Sequence, residues 1–406
     1  MNVLRNIGLL ATCRADGGQG ELHALSNAAL VWQGDTILWV GPENELPRSR
    51  ATAANWDAHG RLVIPGLVDC HTHLAFGGWR ADEFERRLQG ESYLDIAASG
   101  GGIMSTVQAT RAAPEAELRR RCEAFLSEMR QLGVTTVECK SGYGLDEPAE
   151  RKLLQIYRGL ESAQPSRIVS TFLGAHVVPA EMRDNRAEYI RWLVDEMIPA
   201  VARERLARCC DVFVEASAFT VEEARQILGA GKKAGLAPKV HADQLTDSGG
   251  AALAAELGAW SADHLEHVSD AGIAALARSG TVAVSLPFAT LYLNQPPMAA
   301  RKLIAAGVPV AVATDFNPGS APSWHLPVAM TLACTMQRMT PAEALKGATI
   351  FAARAIGMER EVGSLEPGKR ADFAIIDAPD PAHWLYQLRP NGCLRTVIGG
   401  ESVWTR

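Results

Sequence analysis

The feature that most constrains the fold is a repeated alternation of apolar, strand-like runs with helical stretches through the middle of the 406-residue chain. The helical stretches include residues 115–132 and 221–234. We count eight strand-like runs, at residues 62–69, 134–139, 167–173, 211–214, 238–240, 260–263, 281–286 and 308–314. Eight strands that alternate with helices are what a closed barrel needs. The sequence therefore predicts an α/β protein with a TIM-like (β/α)8 barrel.

A doubly wound open sheet is the alternative arrangement of alternating strands and helices. Such sheets often carry a GxGxxG turn directly after a strand, and no such turn follows a strand in this sequence. The glycines at 100–102 and 249–250 are more typical of loops or turns than of a phosphate-binding cradle. These observations favour the barrel.

Both ends of the chain have a different, all-β texture. Residues 28–32 and 36–40 are strand-like and are joined by a turn at Gly34–Asp35. Toward the other end, the same texture resumes at 363–368, 371–377 and 394–398. The pattern predicts a small β-sandwich module formed by both termini, residues 1–62 and 363–406, around a barrel at 63–362.

Composition excludes several classes of protein. A net charge of −6 with 47% hydrophobic residues is globular and argues against a nucleic-acid partner. The apolar piece near the start is broken by Cys13 and Arg14, so we expect neither a membrane span nor a signal peptide. Eight cysteines without CxxC spacing predict buried free thiols in a reducing cytoplasm.

His71 and His73 follow the first strand-like run after only a few residues. Residues i and i+2 of a strand point to the same face, so two imidazoles can bind one metal ion while Thr72 faces away. Two incidental surface histidines are the alternative, because an isolated HxH pattern is a weak signal. Its place at the end of an apolar run early in a long α/β chain favours a metal site.

Polar residues also end the later strand-like runs, where a barrel carries its functional side chains. The full set is His71, His73, Lys140, His176, Glu215, His241, His264 and Asp315. The chain has ten histidines, and half of them belong to this set. Taken alone, His176 or His264 would more often be a buried core histidine. Together they predict a pocket lined with imidazole and carboxylate.

Three histidines and an aspartate suit Zn²⁺ or Fe²⁺ and leave a position for water, which a metal converts to hydroxide near neutral pH. Asp315 ends a strongly apolar run, which favours a metal ligand. A turn or N-cap aspartate is the alternative, because Asn317–Pro318–Gly319 is strong turn chemistry. His264 would orient the hydroxide or share its proton with Asp315. His267 is expected on the loop or helix that follows.

Seven segments together resemble the amidohydrolase superfamily: VDCHTHLAFGG, GGGIMSTVQATRAA, VECKSGYGLD, FLGAHVVP, KVHADQL, SADHLEH and TDFNPGS. The resemblance extends over nearly the whole chain. It is most specific to the branch that hydrolyses 4-imidazolone-5-propanoate to N-formimidoyl-L-glutamate in histidine degradation. It implies one Zn²⁺ or Fe²⁺/Fe³⁺ per chain, held by His71, His73, His241 and Asp315.

The resemblance also implies a substrate-binding set: Arg80, Tyr143, His176, Gln244, Asn317, Gly319 and Ser320. Arg80 would grip the propionate carboxylate with two hydrogen bonds, and Tyr143 and His176 would bond ring atoms or the developing oxyanion. Without the resemblance, Arg80 would be a solvated loop charge and Tyr143 a packing aromatic.

The catalytic residues implied are Asp315, His264 and Gln244. Relatives can carry glutamate at position 244, whereas Gln244 can hydrogen-bond but cannot act as a base. General-base catalysis therefore falls to Asp315 and His264. Phe316 stands where relatives often have cysteine, which we interpret as a packing change. Lys140 suggests the carbamylated bridge of two-metal relatives, but the single-metal branch implies a structural or polar lining role.

Two other functions stay open. One is a single-metal deaminase of a cyclic amidine, against which Arg80 and the SGYG segment argue. The other is a non-catalytic scaffold, which should have lost the metal ligands that this chain retains. We expect a cytoplasmic homodimer whose partner is a small, carboxylate-bearing substrate.

Overall fold

The computed structural model describes the chain apart from residues 51–53, 92–94 and 97–98. The strands are β1 (Asn2–Leu10), β2 (Leu25–Gln33), β3 (Thr36–Pro42), β4 (Ala54–Asp57), β5 (Leu62–Pro65), β6 (Leu67–Asp69), β7 (Val134–Lys140), β8 (Arg167–Ala175), β9 (Cys209–Val214), β10 (Ala237–Ala242), β11 (Ser261–His264), β12 (Val282–Ser285), β13 (Val310–Val312), β14 (Phe373–Ile376), β15 (Cys393–Ile398) and β16 (Glu401–Thr405).

The α-helices are α1 (Ala81–Leu88), α2 (Ile103–Ala112), α3 (Glu115–Gln131), α4 (Glu147–Ala163), α5 (Arg186–Trp192), α6 (Ile198–Arg203), α7 (Val221–Lys233), α8 (Gly250–Leu257), α9 (Asp270–Ser279), α10 (Pro287–Tyr292), α11 (Ala300–Ala305), α12 (Leu326–Gln337), α13 (Pro341–Lys346), α14 (Ala352–Ala355) and α15 (Pro381–Leu385). Shorter 3₁₀ turns lie at Glu43–Glu45, Arg48–Arg50 and Ala180–Asn185, and π-helical turns at Leu193–Met197 and Gly347–Phe351.

Strands β6 to β13 form the predicted barrel. They pair in parallel and in chain order. Most residues of these strands are buried, which explains why they are continuous apolar runs in the sequence. The helices between them pack with one face inward, as α3 does with Leu118, Cys122 and Phe125.

The ring of strands is closed by the residues that follow β6 and β13. The amide of Asp315 donates to the carbonyl of His71 at 3.0 Å, and the amide of His73 donates to the carbonyl of Phe316 at 2.8 Å. We call these two hydrogen bonds the seam. Below them, the Asp69 carboxylate accepts from the amide of Thr314 at 3.1 Å and from its hydroxyl at 2.6 Å. The seam therefore joins the HxH segment to the segment that contains Asp315.

Both termini build one mixed sheet, in the order β16-β15-β14-β5-β1-β2-β3, with β4 paired to β1. Its core contains residues from both ends of the chain, such as Leu4, Trp32, Phe373 and Val397. The predicted turn at 34–35 joins β2 to β3, and Gly34 has a φ of +55°.

The first predicted run, residues 62–69, is two strands rather than one. The chain leaves the terminal sheet at Gly66, whose amide donates to the backbone carbonyl of Asp372. It enters the barrel at Leu67, whose amide donates to the backbone carbonyl of Gly133. A Cβ at position 66 would lie 2.3 Å from the hydroxyl oxygen of Thr135, so only glycine fits this crossing. Strand β5 therefore pairs within the terminal sheet, beyond the predicted boundary at residue 62.

One predicted terminal strand is wrong. Residues 363–368 form turns, because Gly363 and Gly368 have φ values of +86° and +91° and Pro367 has no amide hydrogen to donate. Strands β1, β4 and β16 were not predicted. The eight cysteines are free, and all except the half-buried Cys334 are buried, as expected. Within the described ranges, no helix is both long and apolar enough to span a bilayer.

We predict that Thr314→Val lowers the free energy of unfolding by about 1–3 kcal/mol, because the buried Asp69 carboxylate loses a hydrogen-bond donor. Chemical denaturation at equal metal loading measures the change. Thr136→Val is the matched control, because the buried Thr136 hydroxyl has no hydrogen-bond partner among the described residues. Equal destabilisation by both substitutions would contradict a role for the Asp69–Thr314 contact in closing the barrel.

Candidate active site

The seam brings His71, His73 and Asp315 together at the end of the barrel where the strands terminate. One carboxylate oxygen of Asp315 lies 3.3 Å from Nε2 of His71 and 3.5 Å from Nε2 of His73. Asp315 has a φ of +55°, a left-handed conformation that its short polar side chain tolerates. The three side chains are at most 3% exposed. Asp315 therefore faces the two histidines and is not the N-cap of a helix.

Two further histidines join this group from β10 and β11. The ring of His241 lies 4.5 Å from that of His71 and 5.4 Å from that of His264, measured between centroids. Donor atoms of His71, His73 and Asp315 lie within 4.8 Å of one another, and so do those of His71, His241 and His264. His71 belongs to both sets, so the predicted ligands and His264 converge on one place.

These residues fit a transition-metal ion. Nε2 of both His71 and His241 is buried without a hydrogen-bond partner among the described residues. Burial lowers the pKa of His73 to about 4, which keeps its imidazole neutral. Burial alone would raise the pKa of Asp315, but the imidazoles of His71 and His73 beside its carboxylate hold it well below its usual value. Neutral imidazoles and an ionised carboxylate are the forms that bind metal.

Two aspartates that sequence reasoning missed contact the imidazoles of His71 and His241. Nδ1 of His71 lies 2.7 Å from the carboxylate of Asp263, and Nδ1 of His241 lies 3.0 Å from that of Asp211. A carboxylate at Nδ1 favours the tautomer whose Nε2 lone pair is available to a metal. The sequence did carry a signal for these two residues, because each is an acidic residue inside an apolar strand. A carboxylate that is buried in this way needs a buried partner.

The sequence left Lys140 either a structural or a polar lining role, and the side chain does not line the cavity. Its Nζ lies 2.7 Å from Asp211, 3.1 Å from Glu138 and 3.5 Å from Asp263. Burial alone would lower the pKa of Lys140, but these carboxylates raise it above its ordinary value. The side chain is therefore an ammonium ion, whereas a carbamate forms only from the neutral amine.

A cavity of about 400 Å³ opens above the histidines. Its lining contains every predicted substrate-binding residue except Gly319: Arg80, Tyr143, His176, Gln244, Asn317 and Ser320. It also contains residues that were not predicted, among them Ile103, Met104, Arg183, Arg186 and Phe213. The metal-binding cluster contributes His73, His241, His264 and Asp315 to the same cavity.

Arg80 lines the cavity and packs directly against Gly319. A Cβ at position 319 would lie 1.2 Å from Nη2 of Arg80, so the guanidinium lies directly over the glycine. Glu83, which was not predicted, lies 3.7 Å from Nη1 of Arg80 and accepts from the amide of Gly102 at 2.7 Å. Glu83 therefore connects the arginine to the glycine-rich loop before α2.

The side chain of Asn317 forms hydrogen bonds with the backbone of its own loop, which follows β13. Its amide nitrogen donates to the carbonyl of Asp315 at 2.7 Å, and its side-chain oxygen accepts from the amides of Gly319 and Ser320 at 2.8 Å. Glu215 similarly anchors the segment after β10 by accepting from the amide of Leu245 at 2.9 Å. These contacts hold Ser320 and Gln244 at the cavity.

His176 and His264 line the cavity as neutral imidazoles. Burial lowers the pKa of each well below its ordinary value, and neighbouring histidines add to the effect. His176 stacks on His73 at 5.1 Å, and its Nδ1 lies 3.1 Å from the Gly142 carbonyl. A carbonyl only accepts, so Nδ1 carries the proton and Nε2 is an acceptor. His267 is outside the cavity lining, with Nε2 3.0 Å from the side-chain oxygen of Gln295.

Glu266, which sequence reasoning missed, lies behind His264. One of its carboxylate oxygens is 3.8 Å from Nδ1 of His264, and the other accepts from the hydroxyl of Thr290 at 2.7 Å. Burial raises the pKa of Glu266 to about 8. The group is therefore largely protonated at neutral pH.

The chain is similar over most of its length to known proteins. Residues 62–403 match the amidohydrolase family. The chain is 52% identical over 405 residues to an imidazolonepropionase from Symbiobacterium thermophilum, covering 98% of this chain and 95% of that protein. It is 48% identical over 387 residues to one from Geobacillus kaustophilus, covering 94% and 91%.

Solved structures share the fold at much lower identity. A triazine hydrolase variant matches with a TM-score of 0.76 and 17% identity, over 99% of this chain and 94% of that one. A 5-methylcytosine deaminase from Klebsiella pneumoniae matches with a TM-score of 0.75 and 19% identity, over 100% and 97%. At these identities the likeness supports the barrel and its terminal sheet.

We predict that Gly319→Ala displaces the Arg80 guanidinium and weakens binding of a carboxylate ligand by about tenfold or more, because small misplacements are costly. Calorimetric titration measures the affinity, and elemental analysis should find the metal content unchanged. Gly229→Ala is the control, because a Cβ there meets no atom within 4 Å. Unchanged ligand affinity in Gly319→Ala would remove Arg80 from the carboxylate site.

Proposed function

The chain belongs to the amidohydrolase family and, within it, to the imidazolonepropionases, and on this basis we propose how its residues open an imidazolone ring. The enzyme is a metal-dependent hydrolase of a cyclic C–N bond. The substrate is 4-imidazolone-5-propanoate, and the product is N-formimidoyl-L-glutamate. The observation that carries the proposal is one cavity that contains both Arg80 and the His73–Asp315 cluster.

We propose one Zn²⁺ or Fe²⁺/Fe³⁺ per chain, held by His71, His73, His241 and Asp315. When bound, the metal supplies Lewis acidity that makes a water molecule acidic enough to act as a nucleophile at neutral pH. The carboxylate of Asp315 and the neutral imidazole of His264 are both unprotonated, so either can accept the proton of that water. The same group then returns it to the ring nitrogen as the C–N bond breaks.

Arg80 positions the substrate by its propionate group, away from the reacting bond. A guanidinium matches a carboxylate in shape and charge. His176 presents Nε2 as an acceptor and therefore suits a ring N–H, which leaves Tyr143 as the hydrogen-bond donor toward the developing oxyanion. Gln244, which follows β10, can form a hydrogen bond with the ring, but its amide cannot act as an acid or a base at neutral pH. The homodimer and the cytoplasmic location stay predictions.

We predict that elemental analysis finds about one metal ion per chain, because the predicted ligands form a single cluster. His73→Ala should lose metal and activity together. His264→Ala should keep the metal and lose turnover, because it removes a proton acceptor and no proposed ligand. Asp315→Asn should lose most of kcat, because the amide has neither charge nor basicity.

The measurement pairs an ultraviolet assay of imidazolone loss with metal analysis of each variant. Two metal ions per chain, or full activity in metal-free protein, would contradict the proposed site. Wild-type turnover by His264→Ala would assign proton transfer to Asp315 alone. Release of ammonia from a cyclic amidine, without ring opening, would indicate a deaminase instead.

We predict that Arg80→Ala lowers kcat/KM by about ten- to a hundredfold, because a charge-assisted contact contributes about 1.5–3 kcal/mol. Arg80→Lys should recover only part of this loss, since a point charge cannot reproduce the planar fork. Arg183→Ala is the control, because Arg183 is an exposed arginine in the lining of the same cavity. Its effect should be smaller.

A ring analogue without the carboxylate makes the test sharper. Wild-type enzyme should discriminate strongly against the analogue, and Arg80→Ala should discriminate little. Equal discrimination by both proteins would place the carboxylate elsewhere.

A further inference from the structure

Among the described residues, five charged side chains that are linked by ion pairs lie inside the barrel below the metal-binding cluster, and none of the five lines the cavity. They are Glu138, Lys140, Asp211, Lys239 and Asp263, each at most 1% exposed. Charged groups are almost never buried to this extent unless they are paired. Each of these five side chains therefore needs a partner inside the barrel.

Lys140 connects the two aspartates that contact the metal-binding histidines. Its Nζ is 2.7 Å from a carboxylate oxygen of Asp211 and 3.5 Å from one of Asp263. The same oxygen of Asp211 is 3.0 Å from Nδ1 of His241, and the same oxygen of Asp263 is 2.7 Å from Nδ1 of His71. One ammonium group thus reaches two imidazoles through two carboxylates.

Lys239 is buried in the same layer but is placed differently. Its Nζ donates to the carbonyl of Ala355 at 3.1 Å and of Cys70 at 3.4 Å. It lies 3.4 Å from Glu138 and 3.8 Å from Asp263, and no contact with Asp211 is found among the described residues. The shortest contacts of Lys239 are therefore with two backbone carbonyls and with Glu138.

We propose that Lys140 is a positioning residue for the metal centre, holding Asp211 and Asp263 so that His241 and His71 present their Nε2 atoms together. Without the ammonium, two buried carboxylates would repel each other and lose the group that fixes their orientation. The imidazoles would then lose their alignment, although every ligand would still be present. This inference rests on the metal site of the proposed function.

The experiment compares Lys140→Met with Lys239→Met, since both remove one buried ammonium from the same layer. Affinity for Co²⁺ is measured by competition with a chelator, without substrate. Lys140→Met should bind Co²⁺ about ten- to a hundredfold more weakly, as expected when partners of metal-binding histidines are removed. Its visible Co²⁺ spectrum should also change. Lys239→Met should weaken Co²⁺ binding less, because Lys239 lies 3.8 Å from Asp263 and no contact with Asp211 is found among the described residues.

A double-mutant cycle tests whether Lys140 acts through the aspartates. Asp211→Asn keeps an oxygen near His241 but loses the charge that pairs with Lys140. Interacting residues show non-additive effects, so Lys140→Met/Asp211→Asn should bind Co²⁺ about as weakly as the weaker of the two single variants. Additive losses, or equal losses in Lys140→Met and Lys239→Met, would overturn the proposal. If Lys140→Met does not fold, Lys140→Gln replaces it in the cycle.

The outcomes also separate this inference from the proposed function. Weak Co²⁺ binding by Lys140→Met supports the inference, whatever substrate the enzyme accepts. Failure of the wild type to hydrolyse imidazolone propionate, with tight Co²⁺ binding, would reject the proposed substrate alone. Normal Co²⁺ affinity and spectrum in Lys140→Met would reject the positioning role alone.

Discussion

The architecture depends on the seam, the two backbone hydrogen bonds that join the segments after β6 and β13. Strand β6 has only three residues, so much of the contact between the first and last strands lies beyond its end. His71, His73 and Asp315 supply this contact through their own backbones or those of their neighbours. The three side chains are therefore held in place by barrel closure itself. Loops that are anchored in this way position side chains more precisely than free loops do.

Burial and neighbouring side chains together set the charge of the groups around the cavity. At neutral pH, Asp315 is ionised, His73 and His264 are neutral, and Glu266, behind His264, is largely protonated. The cavity thus has a negative site suited to a divalent cation and, in Arg80, a positive site suited to a carboxylate. Electrostatic interactions are strengthened where water is excluded, so this division would orient a substrate that carries a carboxylate, as we propose.

Much of this could be predicted from sequence, for identifiable reasons. Parallel strands buried on both faces are apolar runs, and the HxH spacing follows from the two-residue strand period. The crossing at Gly66 was missed because the apolar run continues through it. Asp263 was missed because its partner His71 is 192 residues away, and such pairing leaves no local pattern. The contacts of Glu83 with Gly102 and of Glu266 with Thr290 also join residues that no local period relates.

The terminal sheet has a consequence for biosynthesis. Strand β5 pairs on one side with β1, but its other neighbour, β14, is translated about 300 residues later. At ribosomal rates of roughly 5–20 residues per second, this edge waits about 15–60 s for its partner. A buried apolar strand with an open edge is a site for wrong pairing between nascent chains. The edge of β5 therefore stays open until after all eight barrel strands, β6 to β13, have been translated.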